Sequence, residues 1–83
     1  MKYRVLVDKR ALQELARFQR DVQQQIAKRL RMMEDSPFHN AKKLKGRPGY
    51  RIRSGDYRIL FDVNEAAVTV TVFAIGDRKD IYR

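Results

Sequence analysis

The sequence predicts an α+β fold, in which an antiparallel helical hairpin packs on one face of a four- to five-stranded, mainly antiparallel sheet. Three observations predict it. A short strand-like start leads into two stretches whose apolar residues recur at helical spacing. Three β-branched segments follow, separated by a few turn residues each, and strands joined so tightly run antiparallel. The two helices must bury their stripes, and one face of the sheet is the available surface. The other face is then free to work.

Lys2 to Val7 alternates, with Tyr3, Val5 and Val7 on one side and Arg4 and Leu6 on the other, as in a strand. Asp8 is a candidate N-cap for a helix reaching about Phe18, with Ala11, Leu12, Leu15, Ala16 and Phe18 as its stripe. After a polar break at Gln19 and Arg20, a second helix runs from about Asp21 to Glu34. Its stripe is Val22, Ile26, Leu30 and Met33, at i, i+4, i+8 and i+11. Asp35-Ser36-Pro37 ends it, and the brief break between the helices makes them a hairpin. Residues 38–43 read as irregular, and Arg47-Pro48-Gly49 is a turn signal. Tyr50 to Arg53 is a short strand, and Ser54-Gly55-Asp56 turns the chain into a second, Tyr57 to Val63. Asn64-Glu65-Ala66 turns it again into the most β-branched strand, Val68 to Ile75, which Gly76 ends.

The 83 residues fit one domain spanning 1–83. A domain of this size buries only roughly 60–65% of its unfolded surface, so its stability is marginal. There is no cysteine and a single histidine, His39, which excludes a disulfide framework and leaves a zinc site without its usual ligands. His39 follows Pro37-Phe38 in an irregular stretch and reads as a surface or packing residue. No apolar run approaches a membrane span, and Met1-Lys2-Tyr3-Arg4 does not resemble a signal peptide, so a cytoplasmic protein with no membrane partner is expected.

Charge is the strongest compositional feature. Nineteen Lys+Arg against ten Asp+Glu give +9. The excess is local: residues 41–58 hold seven basic side chains and one acidic one. A concentrated cationic patch attracts a polyanion.

Alternation puts Arg51 and Arg53 on one face of their strand, and the turn brings back Arg58 beside them. Three guanidiniums on adjacent strands repel each other unless an anion joins them, and arginine forks match phosphate oxygens. Arg78, just past the last strand, adds a fourth cation, and Tyr82 offers a ring and a phenol to a base or phosphate. Paired histidines or carboxylates for acid–base work are missing, and Asp8, Asp21 and Asp35 read as helix-end residues. Cations and a phenol suit cleavage of RNA by its own 2′-OH, which attacks the adjoining phosphorus. Fixed arginines stabilise the phosphorane charge, and neither metal nor cofactor is required.

Several segments, in this order and spacing, resemble the RelE toxins of the RelE/ParE superfamily of toxin–antitoxin systems. They are Asp8-Lys9-Arg10-Ala11-Leu12, Ser36-Pro37, Lys43-Leu44-Lys45-Gly46, Tyr50-Arg51-Ile52-Arg53, Asp56-Tyr57-Arg58-Ile59-Leu60-Phe61 and Ile75-Gly76-Asp77-Arg78-Lys79-Asp80-Ile81-Tyr82. The resemblance covers essentially the whole chain and implies a microbial RNase-like fold. It implies a ribosome-dependent endoribonuclease that cuts mRNA in the A site and inhibits translation, held in a hetero-oligomer by a RelB-type antitoxin. It assigns the catalytic roles to Arg51, Arg53, Arg58, Arg78 and Tyr82. The basic run Lys42, Lys43, Lys45 and Arg47 would grip ribosomal RNA.

The sequence departs from the family pattern in two ways. The basic pair is often lysine in relatives, and arginine does not deprotonate in proteins. Tyr82, ribosomal RNA or water is left to take the 2′-OH proton. Many relatives have histidine after the closing glycine, where this chain has Asp77. Two other readings share parts of the pattern: a ParE-like, non-catalytic gyrase inhibitor and a non-catalytic RNA-binding module.

Overall fold

The computed structural model of the chain describes residues 2–77. They form β1 (Arg4–Val7), α1 (Lys9–Ala16), α2 (Arg20–Met33), β2 (Lys42–Lys43), β3 (Tyr50–Ser54), β4 (Tyr57–Asn64) and β5 (Thr69–Asp77). All strands join one sheet in the order β1-β5-β4-β3-β2. The pairings β2–β3, β3–β4 and β4–β5 are antiparallel, and β1 lies parallel to β5.

The core lies between the helices and one face of the sheet. Ala11, Ile26 and Met33 from the helices meet Ile52, Ile59, Phe61, Val70, Val72 and Ile75 from the strands, all nearly inaccessible. Asp8 caps α1 as expected, its Oδ1 accepting from the Ala11 N–H at 2.9 Å. The stripe of α1 is narrower than expected. The helix lies chiefly against one strand, β5, and so turns only one strip inward. Ala11, Leu15 and Phe18 form it, whereas Leu12 is 55% exposed. Phe18 falls beyond the end of α1 but still packs, its ring 4.8 Å from that of Tyr57. In α2 the expected stripe is the observed one.

Four expectations about the strands change. Residues 42–43, read as irregular, form β2 against Arg51 and Tyr50. The β3–β4 turn is shorter than expected: Ser54 pairs with Tyr57, leaving only Gly55 and Asp56 between them. Gly55 supplies the φ of +61° that so tight a turn requires. Strand β5 does not begin at Val68, which sits in the preceding turn with φ +51°. Nor does it stop at Gly76, which pairs with Arg58.

Val72 and Ile75 are three residues apart, which strict alternation would place on opposite faces. A bulge resolves this: Leu60 pairs with Ala74 and Phe61 with Val72, so Phe73 is the extra residue and both apolar residues face the helices. Strand β1 ends opposite Val72. Beyond it α1 takes over, the Glu14 carboxylate accepting the Ile75 N–H at 3.0 Å.

Candidate nucleic-acid interface

Ile52, Ile59 and Ile75 point to the helices, so the alternate residues Arg51, Arg53, Arg58 and Leu60 lie on the opposite face. The two-residue turn sets their register. Arg53 stands directly across from Arg58, and Arg51 directly across from Lys42 of β2. Like charges opposite each other in a sheet are destabilising. Here two such pairs adjoin. Arg58 is only 7% exposed, and Leu60, between Arg51 and Ala74, only 8%. The cations therefore stand over an apolar floor, where water screens charge less well than in bulk.

Arg51, Arg53, Arg58 and Lys42 line a single cavity of about 320 Å³. Two residues the sequence did not single out, Arg29 of α2 and Asn40, complete it. No carboxylate is among its described lining residues, so the cavity suits an anion rather than a cation. Arg29 did leave a signal in the sequence. It lies three residues after Ile26 and four before Met33, so a cation occupies the spacing of the buried stripe.

Beyond the cavity, residues 44–49 fold back on the same face. The Leu44 N–H donates to the Gly49 carbonyl at 3.0 Å, and the Arg47 guanidinium lies 4.4 Å from the centre of the Phe73 ring. Gly49 has φ +119°, and a Cβ there would stand 2.9 Å from Asp62 Oδ1 and 3.2 Å from the Phe61 carbonyl oxygen. Lys43 and Arg47 border a second hollow with Tyr50 and Asp62. Of the four expected gripping residues, Lys42 thus joins the arginines, Lys43 and Arg47 flank the neighbouring hollow, and Lys45 is exposed on the loop between. Arg78 and Tyr82 lie outside the described residues. His39 is exposed, and no group of three or more His, Cys, Asp or Glu side chains gathers among the described residues.

The family model for the ParE toxin of the parDE type II toxin–antitoxin system matches residues 5–82. The mRNA interferase toxin RelE of Escherichia coli K12 is 33% identical over 87 aligned positions, covering 99% of this chain and 92% of RelE. The chain belongs to the RelE/ParE family of type II toxins. Solved structures agree with this. RelE in the intact E. coli RelBE toxin–antitoxin complex superposes with a TM-score of 0.77 at 35% identity, over 90% of this chain and 95% of that one. A chain of the Mycobacterium tuberculosis RelBE2 complex shares the fold more closely, with a TM-score of 0.88 over 94% of this chain and all of that one, at 18% identity. Within the RelE/ParE family the curated relatives at about one-third identity are of the RelE type. The matched span takes in all nine residues expected to act or to grip RNA.

Proposed function

We propose that this chain is a RelE-type mRNA interferase that cuts messenger RNA in the ribosomal A site and thereby stops translation. The carrying observation is the convergence of Arg51, Arg53 and Arg58 on one cavity with no carboxylate among its described lining residues. The identity to RelE over nearly the whole chain supports the same reading.

The ribose 2′-OH attacks the adjoining phosphorus. The new O2′–P bond forms as the P–O5′ bond breaks and the departing O5′ takes up a proton from solvent, giving a 2′,3′-cyclic phosphate and a 5′-OH end. Arg51, Arg53 and Arg58 hold the phosphate oxygens and stabilise the charge that builds on them, with Arg78 as a fourth guanidinium. Removing one such donor costs on the order of 10²–10³ in rate. Tyr82 stacks on or hydrogen-bonds to the substrate. Proton transfer from the 2′-OH falls to Tyr82, ribosomal RNA or water, because arginine does not serve as a base. DNA lacks the nucleophile and is not cut. The reaction needs no metal or cofactor. Lys42, Lys43, Lys45 and Arg47 contact ribosomal RNA. The chain works in the cytoplasm, and a RelB-type antitoxin, as in the complexes formed by relatives, neutralises it in a hetero-oligomer.

Mapping the 5′ ends of a translated mRNA, with and without ribosomes, tests the proposal. Cuts within codons that appear only with ribosomes are expected. Equal cutting of naked RNA removes the ribosome from the reading. The ParE description of the family model favours a second possibility, a gyrase-directed toxin. Intact mRNA together with gyrase-linked DNA breaks would establish that one instead.

A further inference from the structure

We propose that Arg29, with Asn40, forms a second phosphate subsite that anchors the RNA backbone beside the phosphate undergoing cleavage. The inference rests on the RNase reading above and concerns a residue outside the cluster that reading uses. Three observations carry it.

Arg29 belongs to the helical layer, yet it lines the same cavity as the arginines of the opposite sheet face. The geometry permits this at the sheet edge. Strand β2 covers β3 only at Tyr50 and Arg51, so β2 stops short of Ile52 and Arg53. The cavity wraps around that margin from Arg53 and Arg58 on one side to Arg29 on the other.

The Arg29 Nε is buried and has no hydrogen-bond partner among the described residues. A buried N–H of a charged group left without an acceptor is costly, and such orphans call for an explanation such as an ion. The other contact of this guanidinium is weak, from Nη1 to the Met32 sulfur at 3.7 Å.

Finally, the cavity is crowded with like charge. Five cations line it, and no carboxylate is among its described lining residues. At about 320 Å³ it reaches the size of a small-molecule cleft, more than one phosphoryl group fills. Arg53 and Arg58 are directly opposed on β3 and β4, and Arg29 and Asn40 reach the same cavity from α2 and from the segment before β2. Consecutive phosphates of a single RNA strand are the anions that meet both sets together. Arg29 therefore contributes to ground-state binding as much as to the transition state, which separates its role from that of Arg58.

The test combines binding with kinetics. Affinity for a single-stranded oligoribonucleotide, blocked by 2′-O-methyl groups, is measured against salt. One phosphate contact contributes about 0.7 to the slope of log K against log[salt] for single strands. Arg29→Gln is expected to lower the slope by about that amount, and Arg29→Lys to restore it. On programmed ribosomes Arg29→Gln should raise KM roughly threefold or more and leave kcat within about twofold, whereas Arg58→Gln should lower kcat. Asn40→Asp places a carboxylate in the same cavity without altering α2. It should raise KM likewise and serves if Arg29→Gln does not fold. An unchanged slope and KM in folded variants overturn the subsite, as does a fall in kcat alone. Weakened binding of an acidic antitoxin peptide with RNA affinity intact also overturns it, by assigning Arg29 to a protein carboxylate. If the parent chain neither binds nor cuts RNA, the RNase reading itself fails, a result distinct from these.

Discussion

Arg53→Gln should make this protein more stable and less active at once. Arg53 and Arg58 are paired across β3 and β4, which sets their Cβ atoms about 4.5–5.5 Å apart. Unit charges roughly 6 Å apart repel by about 0.7 kcal/mol in bulk water. With Arg58 only 7% exposed, water screens the pair less well than in bulk, and the repulsion is not smaller than that figure. Glutamine keeps a polar side chain with the same Cβ–Cδ stem while deleting the charge. A gain of about 0.5–1 kcal/mol is expected, equivalent to a Tm higher by about 2–8 °C in a domain of this size. The measurement is thermal unfolding at low ionic strength and again near 1 M salt, where the Debye length falls to about 3 Å. The gain should largely vanish at high salt. Over the same substitution, mRNA cleavage should fall by on the order of 10²–10³. A variant less stable than the parent, or one whose gain persists in high salt, refutes the claim that Arg53 and Arg58 repel each other across the strands.

Two further substitutions test the framework of the site. Gly49→Ala forces a Cβ against Asp62 and the Phe61 carbonyl at φ +119°; it should cost about 1–3 kcal/mol, read as a lower urea midpoint with an unchanged m-value. Glu14→Ala removes the acceptor of the Ile75 N–H and should cost about 1–3 kcal/mol, with hydrogen exchange at the Ile75 amide accelerating more than at Phe61.

The helices and four of the five strands were legible because burial imposes a period on the sequence. Ile26 and Met33 in α2, and Ile59 with Phe61 in β4, are apolar at the intervals their element requires. Strand β2 left no such trace: Lys42 and Lys43 are both exposed, and two residues carry no period. Gly76 reads as a stop, yet it continues β5 opposite Arg58, where a glycine leaves open the space facing a long side chain. The arginine cluster was legible as alternation around a turn, though its register depended on whether two or three residues made that turn. Arg29 was not found, because its contribution arises only when α2 is laid across the sheet margin and its cation meets side chains from another layer.

The parallel pairing of β1 with β5 has a consequence for how the toxin comes into being. Arg4 is matched with Thr69, and Val7 with Val72, so the first strand to emerge during synthesis waits for nearly the last. Contacts so distant along the chain close late and slowly. The interior cannot be sealed while β5 remains in the exit tunnel, so the cationic face lacks a rigid backing until that strand is free to pair.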